Sequence, residues 1–220
     1  MRDRYIVYGA QGSGSVPIEA ALRLLDLPYR VEDCAPWESA ERAAEFAATN
    51  PMLQVPALAL PSGELMTESA AILTWLADAY SSARLAPTVT DAKRPAYLRW
   101  MSFVSSSIYA LYWIRDKPSR ITDRTEEHAT IKARLADRFS HCWGVMGSLI
   151  SPGRYLLGDD LSVLDLYVAT ASRWEPGRRR FYEVAPGLAE VIRRVDADPR
   201  LTELWAERFP FVEGWEDKGG

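Results

Sequence analysis

The stretch NPMLQVPALALPSGELMTES, from Asn50 to Ser69, decides how the first part of this chain folds. Val55 to Leu60 is rich in strand-forming residues, and Leu60 to Glu64 forms a turn with a glycine at its tip. Leu65-Met66 then predicts a short strand paired across that turn. Ser69 begins a helix with one apolar face, formed by Ile72, Trp75, Leu76 and Ala79. The stretch therefore predicts a β-hairpin that leads directly into a helix.

Strand and helix patterns continue on the N-terminal side of this hairpin. Arg4 to Tyr8 predicts a strand, Gly9 to Ser15 is a glycine-rich loop, and apolar residues at helical spacing follow as far as Leu25. A second strand is predicted from Tyr29 to Asp33, and an alanine-rich helix from Pro36 to Ala48. We expect residues 1–80 to form a small α/β domain.

The composition changes after Tyr80. Residues 81–91 read as a polar linker, and every periodic segment from Ala92 onward is typical of a helix. The predicted helices run to about Arg115, and then over about 123–149, 162–173, 186–195 and 199–207. We expect residues 92–220 to form an all-helical domain, so that the fold class is α/β plus all-α.

Composition and charge exclude several classes of function. The chain has 220 residues, a net charge of -4 and a pI near 5.4, so nucleic acid and anionic membrane surfaces are not expected partners. We also expect no membrane span, no leader segment and a cytoplasmic location. Two distant cysteines indicate reduced thiols, and two histidines without a Cys or His cluster predict no metal. Arg178 to Arg180 predicts a solvated turn or helix end.

The glycine loop has two interpretations. Gly9-x-x-Gly12-x-Gly14 lies between a strand and a helix, and Asp33 ends the next strand, as in a dinucleotide-binding fingerprint. The glycine spacing differs from that fingerprint, however, and no series of β-α units follows to build a doubly wound sheet. We therefore favour a site for another ligand at this loop.

The proline in the third strand indicates what that ligand is. A cis Val55-Pro56 bond would leave the backbone of Val55 available to a peptide in extended form. Ser69 begins a helix whose N–H groups favour a carboxylate, and Glu68 can accept a hydrogen bond from an amine. These groups together predict a ligand that has an α-amino-acid head and a peptide tail.

Two motifs carry a resemblance to a known family. Asn50-Pro-Met-x-Gln54-Val-Pro-Ala-Leu58, followed by Glu68-Ser69-Ala-Ala-Ile72, resembles the thioredoxin-like domain of cytosolic glutathione transferases, with Gln54 as in their zeta and theta classes. Leu157-Gly-Asp-Asp-Leu-Ser162-Val-Leu-Asp165 is similar to the capping motif of the sixth helix in that family, and the resemblance covers nearly the whole chain. From the residues alone, Ser162-x-x-Asp165 predicts a capping box with no catalytic role.

The resemblance implies glutathione as co-substrate, with each part of it assigned to residues of this chain. Gln54, Val55 and Pro56 would hold the glutathione backbone, and Glu68 with Ser69 would hold its γ-glutamyl end. It further implies a homodimeric detoxification enzyme with a small-molecule electrophile as second substrate.

The group that activates the thiol is left open by the sequence. Only the thiolate attacks, and a cysteine-type thiol has a pKa of about 8.5, so a hydroxyl donor must favour the charged form. The loop offers Tyr8, Ser13 and Ser15, and its amides are further donors. Tyr8 ends a strand and Ser15 precedes Val16-Pro17 as a helix cap, so we choose Ser13, between two glycines, with Ser15 as the second candidate.

The electrophile pocket is predicted on the long helix that follows the linker. Its aromatic residues include Tyr109 and Trp113, although such a stripe is also typical of a core or a subunit interface. Tyr109 can donate a hydrogen bond to charge that develops on a substrate.

Two functions remain from these residues. One is a glutathione transferase acting by conjugation, isomerisation or reduction. The other is a transferase-fold protein that binds glutathione, an apolar ligand or a protein without chemistry. A maleylacetoacetate-isomerase role fits Gln54, but the Ser-Ser-Cys-type loop of that class is missing.

Overall fold

The computed structural model describes residues 4–211 and divides the chain into two compact units. The first unit consists of the described residues of Met1–Ala83 and Asp196–Gly220, and the second is Arg84–Val195. We expected all of residues 92–220 to belong to the helical domain, whereas residues 196–211 pack with the first unit, and residues 212–220 lie outside the described part of the chain. Within residues 4–211, no helix is long and apolar enough to cross a membrane.

The first unit is built on a mixed four-stranded sheet in the order β2-β1-β3-β4. Its strands are β1 (Tyr5–Gly9), β2 (Tyr29–Asp33), β3 (Ala57–Ala59) and β4 (Leu65–Thr67). Its helices are α1 (Val16–Leu24), α2 (Ala40–Ala47), α3 (Ser69–Ala79) and the later α10 (Thr202–Arg208). β1 pairs with β2 in parallel, and β3 pairs antiparallel with both β1 and β4. This thioredoxin-like arrangement confirms the predicted α/β domain and its hairpin.

Apolar residues at helical and strand spacing form the core of the first unit. α1 packs against α3, and the side chains that are wholly buried include Ile18, Leu22, Leu58, Ile72 and Leu76. These are positions that recur at periods of 3.6 residues in the helices and alternate in the strands, which is why the sequence pattern located them. Val55-Pro56 is a cis peptide bond, which is the condition on which the interpretation of this segment as a peptide-binding site depended.

The second unit is helical throughout its regular elements. They are α4 (Arg94–Ser107), α5 (Tyr112–Asp116), α6 (His128–Leu149), α7 (Val163–Ala171), α8 (Gly177–Val184) and α9 (Pro186–Asp196), the last ending at the division between the units. Every residue of α7 is buried, and the largest wholly buried side chains of the second unit include Tyr97, Phe139, Trp143, Tyr167 and Phe181. A helix that is apolar on all sides is expected in a core, and α7 is that helix.

The long helix predicted as far as Arg115 is broken. α4 ends at Ser107, and Ile108 has φ -123° and ψ -66°, before a single 3-10 turn and the short α5. Serine has a low helix propensity because its hydroxyl competes for backbone groups, and Ser106 Oγ donates to the Ser102 carbonyl at 2.8 Å. The three consecutive serines before Ile108 are therefore a physical reason for the break.

The prediction of a solvated turn or helix end at Arg178 to Arg180 is wrong about solvation for Arg178, although that residue does lie at a helix end. It lies in the first turn of α8, is only 2% exposed, and its guanidinium donates to the Ala169 carbonyl at 2.6 Å. That carbonyl is one of the last in α7, where a helix favours a cation. The charge of Arg178 by itself favoured an exposed side chain. The side chain is buried instead, because a carbonyl of α7 accepts its hydrogen bond.

Candidate functional site

Strand register places the predicted site segments at one end of the sheet. Tyr8 pairs with Ala57, and Ala57 pairs with Thr67. The loop after β1, the segment before β3 and the segment after β4 therefore begin at neighbouring positions. Ser13, the Gln54 to Pro56 segment and the Glu68-Ser69 pair belong to these three segments, so the topology brings together residues that are distant in the sequence.

Ser13 lies at the centre of the loop after β1. Its Oγ accepts hydrogen bonds from the amides of Ala10 and Ser15, each at 3.2 Å, and lies 3.1 Å from Ser15 Oγ. A serine hydroxyl accepts through two lone pairs and donates one hydrogen. Because both acceptor positions of the Ser13 hydroxyl are taken, its hydrogen is the group that it can donate, either to a ligand or to Ser15 Oγ. Its half-buried side chain remains accessible.

Ser15 has a different environment, because it is completely buried. Its hydroxyl donates to Glu19 Oε1 at 2.8 Å, whereas the Ala10 carbonyl is more distant at 3.4 Å. A charged acceptor forms the stronger bond, so the Ser15 proton points toward Glu19. The sequence analysis expected the Ser15 hydroxyl to be occupied by capping α1, but its side chain makes no cap bond there.

Glu19 is a buried carboxylate on α1 that also contacts the C-terminal segment. Arg208 Nε donates to Glu19 Oε2 at 2.8 Å, and its Nη2 donates to Oε1 at 3.3 Å. The same guanidinium reaches Asp33 Oδ1 at 3.1 Å. Burial raises the pKa of Glu19, and the hydrogen bonds from Arg208 and Ser15 oppose that effect. The sequence analysis missed Arg208, because nothing local indicates a contact with α1.

The C-terminal end of α10 holds the loop by its backbone as well. The amide of Gly12 donates to the Arg208 carbonyl at 2.7 Å, and Gln11 Nε2 donates to the Glu207 carbonyl at 2.6 Å. Gly12 has φ +67°, a left-handed conformation that glycine adopts without penalty, and the Phe209 ring lies against it. Several of the loop amides proposed as thiol donors are thus engaged, because Ser13 N also donates to the Ala10 carbonyl at 3.2 Å.

Asn50 organises the segment before β3. Its Nδ2 donates to the Gln54 carbonyl at 2.7 Å, and its Oδ1 accepts the Met52 amide at 3.0 Å. Leu53 has φ +55°, a conformation that turns the chain sharply before Gln54. Asn50 is itself buried. The sequence predicted Asn50 only as a member of the family motif, and its role as the support of this segment was not predicted.

Val55 anchors the same segment in the core, whereas Glu68 and Ser69 lie at the start of α3. The Val55 side chain packs with Phe46 and Ala57. Glu68 is exposed and has φ +67° and ψ 100°, while its carbonyl accepts the Ile72 amide at 2.9 Å. A non-glycine residue in such a conformation costs free energy and is often found at a functional site. Ser69, the first residue of α3, is buried.

Two other polar residues near this end of the sheet are Tyr8 in β1 and Cys34 after β2. The Tyr8 ring packs against Phe46 with ring centroids 6.3 Å apart, as expected for a strand residue facing a core. Burial raises the pKa of the Cys34 thiol to about 11, so the thiol is protonated at neutral pH. Among residues 4–211, no cluster of three or more His, Cys, Asp and Glu side chains could hold a metal ion.

Tyr109 and Trp113, the predicted pocket residues, both follow the break after α4, with Tyr109 in the 3-10 turn and Trp113 in α5. The Tyr109 ring packs against Tyr167 and Trp174, with centroids 5.8 and 5.0 Å away. Trp113 is 42% exposed, and the Arg120 guanidinium lies 4.8 Å above its ring. The structure places both residues in the second unit, and their role toward an electrophile stays a prediction.

Comparison with known proteins gives one consistent result for sequence and fold. Residues 15–79 match the family model of the glutathione S-transferase N-terminal domain. The chain is 30% identical over 199 residues to the uncharacterized GST-like protein YncG of Escherichia coli K12, covering 90% of this chain and 95% of that one. It is 24% identical to the glutathione S-transferase GstA of Escherichia coli O157:H7, over 74% of this chain and 78% of that one.

A solved structure extends the likeness to the whole fold. A glutathione transferase homologue from Sulfitobacter, crystallised with bound glutathione, matches with a TM-score of 0.82. The two chains are 23% identical, and the match covers 93% of this chain and 98% of the other.

Proposed function

Because this chain belongs to the cytosolic glutathione S-transferase family, we propose that it is a glutathione transferase. It binds glutathione at the end of the sheet that carries Ser13 and Glu68. It stabilises the glutathione thiolate for attack on a small apolar electrophile. The reaction is a conjugation, or an isomerisation or reduction that uses the same thiolate. The observation that carries this proposal is the convergence of the loop after β1, the Val55 segment and the Glu68-Ser69 pair.

Glutathione has groups that suit each of these segments. Its γ-glutamyl amine is a donor for the exposed Glu68 carboxylate, and its α-carboxylate suits the Ser69 hydroxyl at the start of α3. The N–H and C=O of Val55 suit the extended backbone of the cysteinyl residue, with Gln54 and Pro56 on either side. The helix terminus would contribute about 0.3 to 2 kcal/mol to binding of the carboxylate.

Ser13 is the donor that we assign to the thiolate. Both of its acceptor positions are taken by amides, so its hydrogen is the remaining group, and a charged sulfur is a better acceptor than the neutral Ser15 hydroxyl. Ser15 is less suited to this role because its proton is directed to Glu19. Lowering the thiol pKa by about two units requires roughly 2.7 kcal/mol, which one or two charge-assisted hydrogen bonds can supply.

The electrophile would contact the second unit, with Tyr109 donating to charge that develops during attack and Trp113 providing apolar surface. We further propose a cytoplasmic homodimer acting in detoxification, by analogy with the family.

A non-catalytic binding protein is the alternative that one observation favours. Ser13 Oγ lies within hydrogen-bond distance of Ser15 Oγ. If Ser13 keeps its proton directed to Ser15 when glutathione is bound, the ligand is held by Glu68 and Ser69 without activation.

Titration of the bound thiol by its ultraviolet thiolate absorbance separates these functions. We expect a pKa about two units below that of free glutathione in the wild type, and a return toward the free value in Ser13→Ala. Ser106→Ala is the matched control, because Ser106 is exposed on α4 and its hydroxyl donates to the Ser102 carbonyl of the same helix. Bound glutathione with an unshifted thiol would reject the enzyme and establish a glutathione-binding protein. Absence of glutathione binding would also reject the enzyme, and would leave a protein that binds an apolar ligand or a protein partner.

A further inference from the structure

We propose that Arg208 is a positioning residue for the thiol-activating loop, acting through Glu19 and Ser15 on Ser13. This inference rests on the proposed function and concerns the same site. It assigns a role in thiol activation to the C-terminal segment, whose α10 packs with the first unit and contacts α1. The chain of contacts is continuous, since each neighbouring pair of side chains lies within 3.1 Å.

The first step is electrostatic. Glu19 is 1% exposed, and an isolated carboxylate in such a place would be protonated or would repel a thiolate nearby. The Arg208 guanidinium donates to both carboxylate oxygens of Glu19. This bidentate contact favours the charged form of Glu19, and the positive charge of Arg208 offsets the negative charge of the carboxylate. The other ionisable groups whose charges act on Glu19 or are influenced by it are Asp33 and Tyr29, both on β2.

The second step concerns the proton of Ser15. A charged Glu19 is a strong acceptor, and it directs the Ser15 hydroxyl away from the ligand side of the loop. Ser15 also presents its amide to Ser13 at 3.2 Å, so a fixed Ser15 fixes the acceptor side of Ser13. The Ser13 proton is then the one that a thiolate can receive without reorganising the loop.

The backbone of α10 supports the same arrangement. The Arg208 carbonyl accepts a hydrogen bond from the Gly12 amide, and the Glu207 carbonyl accepts one from the side-chain amide of Gln11. The ring of Phe209 lies 3.6 Å from the position a Cβ would take on Gly12. Glu207, Arg208 and Phe209 therefore all contact the loop, and the side chain of Arg208 also binds the Glu19 carboxylate.

The test measures the thiol pKa and the dissociation constant of glutathione bound to the full-length protein. In Arg208→Met we expect the pKa of the bound thiol to rise by about one unit, a tenfold loss of thiolate at pH values below the pKa. The dissociation constant should change by less than about threefold, because the Glu68, Ser69 and Val55 segments are untouched. Arg208→Lys keeps a single ion pair without the planar fork, so it should recover about half of the effect.

Two further variants distinguish positioning from general loosening of the structure. Glu19→Gln combined with Arg208→Met removes both buried charges, and the glutamine oxygen still accepts the Ser15 hydroxyl, so most of the wild-type thiol pKa should return. Arg200→Met is the matched control in the same segment, since the Arg200 side chain is 58% exposed and its guanidinium donates to Asp198. It should leave the thiol pKa unchanged.

A thiol that titrates in Arg208→Met as in the wild type would overturn the inference, as would an equal shift in Arg200→Met. Where Arg208→Met does not fold, a wild-type thiol pKa in Arg208→Lys would overturn it. A wild-type thiol that titrates like free glutathione would instead overturn the proposed function, so the two failures are distinguishable.

Discussion

Two serine–carboxylate pairs, one in each unit, differ in where their partners come from. Ser15 and Glu19 lie at the start of α1, and Ser162 and Asp165 lie at the start of α7. In both pairs a buried serine hydroxyl donates to a buried carboxylate, at 2.8 Å and 2.6 Å. The residue types and their short spacing are similar, but only the second pair forms the predicted capping box.

The difference lies in the remaining hydrogen bonds of each carboxylate. Asp165 accepts from the Ser162 amide and from the Leu156 amide, both at 2.8 Å, so its partners lie within ten residues. Glu19 takes its remaining bonds from Arg208, which is 189 residues away in sequence. A carboxylate with local partners closes a helix end, whereas one with a distant cation links separate segments of the fold. The arrangement at Ser162 and Asp165 therefore stabilises the fold, whereas the one at Ser15 and Glu19 is the one that we propose couples Arg208 to Ser13.

The largest effect is expected from removing the local carboxylate. Asp165→Ala leaves two buried amides and a hydroxyl without an acceptor, so we expect a loss of about 3 kcal/mol in the free energy of unfolding. Asp159→Ala in the same loop is the matched control, because Asp159 is exposed, and it should change stability by less than about 0.5 kcal/mol. Chemical denaturation measures both, and similar values for the two variants would refute the structural role of Asp165.

The pH dependence of stability sharpens the same comparison. Burial raises the pKa of Asp165 from its ordinary value of 3.8 to about 6. Because the folded state binds this proton more tightly than the unfolded state, the stabilisation is complete below pH 3.8 and is lost as pH rises through about 6. Asparagine does not titrate at this position.

We therefore expect the wild type to lose about 2 kcal/mol relative to Asp165→Asn between pH 4.5 and pH 7. The measurement is the difference in unfolding free energy between the two proteins at each pH. A difference that stays constant, or that moves in favour of the wild type as pH rises, would show that Asp165 does not titrate as the structure indicates.

The smallest effect comes from exchanging the two serines for alanine. Ser162→Ala should cost about 1 kcal/mol of stability through the lost cap, and should leave the pKa of a bound glutathione thiol unchanged. Ser15→Ala should raise that thiol pKa by about half a unit, because the Ser13 hydroxyl loses its contact with the Ser15 hydroxyl and is held less firmly. Thermal unfolding and thiolate absorbance check the pair, and a thiol shift in Ser162→Ala would break the distinction between the two sites.

The parts of the fold that the sequence predicted are those stabilised by neighbours along the chain. The β-hairpin, the parallel strand Tyr29–Asp33, the helix that begins at Ser69 and the capping box at Ser162 all depend on short-range patterns. The resemblance carried by Gln54 and Glu68 to one family also followed from short motifs, and the comparisons confirmed that family. The choice of Ser13 as thiol donor stays a prediction.

The remainder depended on contacts that no local pattern encodes. Arg178 is buried because its guanidinium donates to a carbonyl of α7. The break at Ile108 differs, because the three serines before it are a local signal that the helical pattern of apolar residues obscured. Propensity is a weak signal that tertiary context overrides, and a charged residue is buried only where a partner is supplied.

For the candidate site, the sequence by itself determined which short segments we assign to the ligand: the glycine loop with Ser13, the Val55-Pro56 segment and the Glu68-Ser69 helix start. Only the tertiary structure decided that these segments meet at one end of a sheet, and that Arg208 returns from the far end of the chain to the carboxylate beneath Ser15. The physical reason is that backbone preferences and periodicity act over a few residues. An ion pair between α1 and α10 depends instead on how the whole chain is folded, because its partners have no sequence relationship beyond their opposite charge.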